Sequence, residues 1–206
     1  MKLRAILVLP VIVFATGGGW WWWHTRLPAD VAPTSGTTIV AFGDSLVEGV
    51  GASPGQDFVS LLASRTGHPI INAGHRGDTT RDALDRLGPD VLSRDPRVVI
   101  VLVGGNDFIR RVPRETTFDN LSNIVTTIRR RGAAVILVGV SLGLVIDNYG
   151  DGYEAIAERT HSVLVPDVLD GILGHGDLTA DQIHPNDRGY AIVANRIEPV
   201  LRRLIQ

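Results

Sequence analysis

Two short runs constrain this chain more than anything else in it: RVVIVLV at 97–103 and AAVILVGV at 133–140, apolar almost without interruption. A strand with one wet face alternates polar and apolar residues. Runs that do not alternate are buried on both faces and need covering layers on each side. Between them Leu121, Ile124, Val125 and Ile128 recur at i, i+3, i+4 and i+7, the stripe of an amphipathic helix. The same alternation begins earlier. TTIVAF at 37–42 and PIINA at 69–73 read as strands, and each is followed by a helical pattern. Asp57 to Arg65 places Phe58, Leu61 and Leu62 on one face, and Thr80 to Leu92 does so with Leu84, Leu87 and Val91. Strands that alternate with helices imply a parallel sheet with right-handed crossovers. The expected fold class is therefore α/β, a three-layer α/β/α sandwich with a central parallel sheet. Past Ser141 the pattern weakens to a helix near Tyr153 to Arg159, a short strand at Ser162 to Val165 and a last helix from Asp187. In that helix Tyr190, Val193, Ala194, Ile197, Leu201 and Leu204 share a face, and Pro199 should kink it.

The body that carries these patterns, 37–206, has the size of one domain with its own core. Net charge is −2, so nothing in the electrostatics argues for a nucleic-acid partner. Arg129 to Arg131 and Arg202-Arg203 close helical patterns, where the macrodipole favours cations. The absence of cysteine excludes disulfides, thiolate catalysis, cysteine–zinc sites and a lipobox anchor, without fixing the compartment. Residues 1–24 speak to compartment more directly. Lys2 and Arg4 precede an uncharged, largely apolar run from Ala5 to Trp23. It reads either as a cleaved signal peptide, with small residues at Ala15 and Gly17, or as an uncleaved signal anchor. In the second reading the run, roughly 28 Å long as a helix, spans the hydrocarbon layer, with Trp20 to Trp23 in the interfacial belt. Both export the domain, to a periplasmic or extracytoplasmic place, and the anchor would associate it with the membrane. A buried helix of a cytosolic protein is the remaining alternative. Residues 25–36 (TRLPADVAPTSG) read as a linker.

In open parallel sheets, ligands bind at the carboxyl ends of the strands. Three polar motifs fall there. TTIVAF runs into Gly43-Asp44-Ser45-Leu46, which places a serine hydroxyl at the site edge and its N–H near the start of a helical turn. The same residues are also ordinary turn chemistry. PIINA ends in Gly74-His75-Arg76-Gly77-Asp78-Thr79-Thr80, where glycine lets backbone approach a ligand and Thr79 or Thr80 can cap the next helix. RVVIVLV ends in Gly104-Gly105-Asn106-Asp107, whose Asn amide can donate to an oxyanion or simply sit in a turn. A fourth motif, Asp181-Gln182-Ile183-His184-Pro185-Asn186, opens the last helix. There an Asp three residues before a His can accept from Nδ1–H and leave Nε2 free, the orienting half of a triad. His24, His68, His75, His161 and His175 lack such company. A nucleophile, oxyanion donors and a His–Asp pair together point to acyl transfer to water.

GDSLVEGVGA, NAGHRGDT, VLVGGND and DQIHPNDRGY resemble, in order, the four blocks of the SGNH/GDSL hydrolases, and the pattern is similar to the bacterial lysophospholipase/thioesterase/arylesterase branch. The resemblance implies a flavodoxin-like sheet, no metal or cofactor, and an acyl ester or thioester as the small-molecule partner. It implies Ser45 as nucleophile, His184 as base and Asp181 as its orienter. The Ser45 N–H, the Gly77 N–H and the Asn106 side chain would form the oxyanion hole, with Gly74 the rival of Gly77. The stretch from Ser141 to Gly152 carries no clear motif. Its Leu142, Leu144, Val145 and Ile146 permit an acyl chain, but they also read as a continuation of the preceding strand. An exported deacetylase of polysaccharides, a membrane-tethered binding module and, more weakly, an FMN or phosphate binder are the other readings.

Overall fold

The computed structural model describes residues 31–141 and 149–206. Strand β1 (Thr38–Gly43) leads into a one-turn helix α1 (Ser45–Glu48) and then α2 (Phe58–Thr66). Next come β2 (Ile70–Gly74), α3 (Thr80–Asp90) and, after a 3-10 turn, β3 (Pro96–Leu102). A short helix α4 (Gly105–Ile109) precedes α5 (Arg114–Arg130) and β4 (Ala134–Val138). The chain closes with α6 (Tyr149–Thr160), β5 (Val163–Val165) and α7 (Asp187–Ile205). All strand pairings are parallel, in the order β2-β1-β3-β4-β5. This is the doubly wound, flavodoxin-like α/β sandwich.

The unbroken apolar strands explain the layering. Successive residues of a strand point to opposite faces, so β3 sends Val98, Ile100 and Leu102 into one core and Val99 and Val101 into the other, all fully buried. Helices α2 and α7 cover the first face, through Phe58, Leu62, Tyr190, Val193 and Ile197. Helices α3, α5 and α6 cover the second, through Leu87, Leu121, Ile124, Ile128 and Ile156. Each such Val, Leu or Ile contributes about 1.5–3 kcal/mol by leaving water.

The differences from the periodicity are local. Helix α3 stops at Asp90 and Asp95, at φ 52°, turns the chain into β3, although Val91 is buried as its spacing requires. Helix α7 continues through Pro199 to Ile205. Pro199 and Asn195, one turn before it, both lie on the exposed side, where water can satisfy the carbonyl that proline leaves without a donor. Residues 31–36, part of the stretch that reads as a linker, lie against the body. Val31 is fully buried, Thr34 N–H donates to the Gly132 carbonyl (2.9 Å) and Ser35 Oγ to that of Arg131 (2.6 Å). These contacts lie just before β4, at the amino edge of the sheet. No helix among the described residues is long and apolar enough to cross a membrane. The run from 5 to 23 lies outside them, as do residues 142–148, whose apolar side chains read either as an acyl pocket or as more strand; β4 itself ends at Val138.

Candidate active site

The carboxyl ends of β1, β2 and β3 meet at one edge. Asp44 caps α1, its Oδ1 accepting from Leu46 N–H (3.0 Å), which makes Ser45 the first helical residue. Ser45 is 7% exposed. Two contacts hold this turn over the end of β2. Asn72 Nδ2 donates to the Val47 carbonyl (2.7 Å), and Gly74 lies under the α1 backbone so closely that a Cβ there would sit 2.1 Å from Glu48 N. Gly74 is therefore glycine because two backbones pass at contact. Gly77 is glycine for another reason, a left-handed φ of 84°.

His184 comes to Ser45 from the far end of the sequence. The turn that carries it is fixed by local bonds: Asp181 Oδ1 accepts from the N–H groups of Ile183 (2.9 Å) and His184 (2.8 Å), and Ala180 N–H donates to the His184 carbonyl (2.9 Å). Asp181 Oδ2 stands 2.7 Å from His184 Nδ1, and His184 Nε2 stands 2.9 Å from Ser45 Oγ. With Nδ1 protonated toward the carboxylate, Nε2 presents its lone pair to the hydroxyl. Burial works to raise the Asp181 pKa, but the bonds from the His184 ring and the two backbone N–H groups outweigh it and hold the carboxyl at about 2. Helix α7 is braced against the nucleophile's side too, since Tyr190 hydroxyl donates to the Val50 carbonyl at 2.8 Å.

Asn106, on α4, lines the same small cleft as Ser45 and His184, with Ile109, Val140, Leu169 and Ile183 as its apolar side and a volume of ≈ 20 Å³. Its Nδ2 donates to the Asp78 carbonyl at 3.0 Å, which joins α4 to the loop that bears Gly77. The N–H groups of Ser45 and Gly77 have no hydrogen-bond partner among the described residues. The five residues singled out from sequence thus stand on the loops and helix starts at one sheet edge.

Other groups at this edge have roles that their motifs did not reveal. Asp44 is 2% exposed; burial, helped by the nearby Asp78 and Asp107 carboxylates and opposed by the Leu46 N–H, pushes its pKa up to about 7. Asp107, fully buried, accepts from Thr80 N–H (2.8 Å) and Thr80 Oγ1 (2.6 Å). Thr79 is consequently the cap of α3, in a reciprocal box with Asp82, and Thr80 is the tie to α4. The Thr-x-x-Asp spacing could have selected Thr79; nothing local announces the partner of Thr80. Arg86 spans the strand ends, donating to the carbonyls of Gly43 (2.7 Å) and Ala73 (2.9 Å) and to the Asp78 carboxylate (2.5 Å). Among the described residues no group of three His, Asp or Glu side chains is placed to hold a metal.

The fold and this edge define a flavodoxin-like α/β protein in which a Ser–His–Asp chain of hydrogen bonds lies where such sheets bind ligands. Residues 41–192 match the GDSL-like lipase/acylhydrolase family, and the chain belongs to that family. It is 30% identical over 182 residues to the esterase TesA of Pseudomonas aeruginosa, covering 82% of this chain and 89% of that one. To the thioesterase 1/protease 1/lysophospholipase L1 of Escherichia coli it is 27% identical, over 82% of this chain and 85% of the relative. The crystal structure of TesA superposes with a TM-score of 0.76 at 28% identity, over 82% of this chain and 99% of that one. The protein is a carboxylic ester hydrolase of the SGNH/GDSL type.

Proposed function

We propose that this protein cleaves carboxylic esters or thioesters of acyl substrates through an acyl-enzyme on Ser45. His184 Nε2 takes the Ser45 proton as Oγ attacks the carbonyl carbon, and Asp181 holds the ring in the required tautomer and stabilises the imidazolium. The Ser45 N–H, Gly77 N–H and Asn106 Nδ2 donate to the tetrahedral oxyanion. His184 returns the proton to the leaving oxygen or sulfur, and a water molecule, deprotonated by the same ring, releases the acid and regenerates Ser45. The observation that carries this reading is the unbroken chain Asp181–His184–Ser45, at 2.7 and 2.9 Å. The names of the relatives support both ester and thioester substrates. Ile109, 49% exposed and a wall of the cleft, supports an apolar acyl group.

The same triad and oxyanion donors would equally serve a second reading of this chemistry, an O-acetyl esterase acting on carbohydrate or cell-wall polymer. We further propose that residues 1–24 export the domain as a signal peptide or anchor; a mature N-terminus near residue 18 would select the cleaved form. The deciding assay is hydrolysis of p-nitrophenyl acetate through decanoate by the wild type and Ser45→Ala, with labelling by a fluorophosphonate. Turnover and labelling lost in the variant support a serine esterase. Turnover that survives it refutes the mechanism. A profile confined to acetate, with acetyl released from a glycan, selects the second reading.

A further inference from the structure

We propose that Arg110 is a positioning residue for the oxyanion hole, acting through the backbone of Gly77; the inference rests on the Ser45 and Gly77 roles proposed above. Arg110 follows α4 directly, four residues after Asn106, and its N–H bonds back to the Asn106 carbonyl at 2.9 Å. From there its Nη2 donates to the Gly77 carbonyl at 2.7 Å, while Asn106 Nδ2 donates to the next carbonyl, that of Asp78, at 3.0 Å. One short helix therefore grips two successive carbonyls of the loop through side chains one helical turn apart.

The loop needs such a grip. Gly77 has no Cβ and sits at φ 84°, so its own sterics restrain the preceding peptide plane, which carries the N–H, very little. An oxyanion donor must lie about 2.7–3.1 Å from the developing charge. Fixing the plane after Gly77 limits the rotations open to the one before it. The same peptide plane also carries the Asp78 N–H, which donates to the His75 carbonyl at a longer 3.2 Å, while Arg76 N–H donates to Glu48 Oε2 (2.5 Å) and the Asp78 carboxylate accepts from Arg86 (2.5 Å). None of them touches the Gly77 carbonyl. Asp82, fixed in the α3 capping box, adds a long ion-pair contact, its Oδ2 lying 3.9 Å from Nη1. A planar guanidinium can address a carbonyl and a carboxylate at once in a way that a lysine ammonium does less directionally.

Arg110 is more than half exposed, at 54% of its side chain. Its removal should therefore spare the fold and act on the loop alone. Loss of a whole oxyanion donor costs on the order of 100- to 1000-fold. Loss of one of two carbonyl grips, taken as half of that free energy, corresponds to roughly 10- to 30-fold. The test compares wild type, Ser45→Ala, Arg110→Met and Arg110→Lys. It measures kcat and KM on a p-nitrophenyl ester, the inhibition constant of a trifluoromethyl ketone that forms a tetrahedral adduct with serine, and the urea unfolding midpoint. We expect Arg110→Met to lose kcat by roughly 10- to 30-fold, with KM and the unfolding midpoint little changed. Its ketone affinity should weaken by the same factor as kcat/KM, and Arg110→Lys should fall between it and the wild type. Unchanged kcat, a loss confined to KM, undiminished ketone affinity or a fall in activity that tracks the unfolding midpoint would each overturn the role. Wild-type hydrolysis that survives Ser45→Ala would instead remove the underlying mechanism, and is seen before any Arg110 variant is compared.

Discussion

Substituting Asp44→Asn should flatten the dependence of stability on pH. The carboxyl is 2% exposed, and its pKa is about 7 in the folded chain against an ordinary value of 3.8. Because the folded pKa is the higher one, the native state binds the proton more tightly than the unfolded state. Its stabilising effect is complete below about pH 3.8, declines as pH rises and is gone above about pH 7. The full difference, a little over three pKa intervals at 1.36 kcal/mol each, is about 4 kcal/mol. Between pH 5 and 8 the wild type should lose roughly 2–3 kcal/mol on this account. Asparagine has the same shape and can still accept from Leu46 N–H as the α1 cap, but it does not titrate. Groups remote from Asp44 titrate alike in the two proteins and cancel in their difference, while Asp78 and Asp107, whose charges Asp44 feels, are the neighbours coupled to the change. Urea unfolding at pH 5, 6, 7 and 8 measures it directly. The variant should gain on the wild type by roughly 2–3 kcal/mol across that range. Parallel stability curves would refute the claim that burial keeps this carboxyl protonated.

Asp181→Asn should reduce kcat more than Asp181→Ala. The amide would keep the backbone bonds of the turn but donate to Nδ1, leaving the proton on Nε2 facing Ser45, a loss of about 10,000-fold. In the alanine variant, water can enter at a position already 52% exposed and restore the tautomer, for a smaller loss; the reverse order in p-nitrophenyl ester kinetics would contradict the geometry. Asn106→Ala should lower turnover about 100- to 1000-fold with the unfolding midpoint nearly retained, and unchanged turnover would remove Asn106 from the oxyanion hole. Gly74→Ala, whose Cβ would meet Glu48 N at 2.1 Å, should destabilise by about 1–3 kcal/mol in urea titrations. Its activity should fall as α1 is pushed from β2; a wild-type stability would show that the two backbones are not in forced contact.

The layers were legible in the sequence because burial on both strand faces removes polar residues from consecutive positions, and RVVIVLV and AAVILVGV leave no other arrangement. So was the His184–Asp181 pair, since three residues of chain in one turn make the contact nearly by themselves. Short-range spacing also read α5 and α7 correctly, down to the buried Ile124 and Ile197. What local pattern does not carry is which strand ends become neighbours. The order β2-β1-β3-β4-β5 is a property of the folded sheet, and that order brings Gly77, Asn106 and Ser45 to one edge. Only there do Thr79 and Thr80 divide into a cap and a tie to Asp107, and only there do Gly74 and Gly77 acquire different reasons for lacking a side chain. The Asp44 pKa belongs to the same class, because a carboxyl is perturbed by how many distant residues exclude water from it. Sequence by itself determined the elements, their buried faces and the local His–Asp turn, through periodicities of a few residues. The tertiary structure alone decided the distance of 2.9 Å between His184 and Ser45 and the electrostatics around them, because both depend on contacts between residues far apart in the chain.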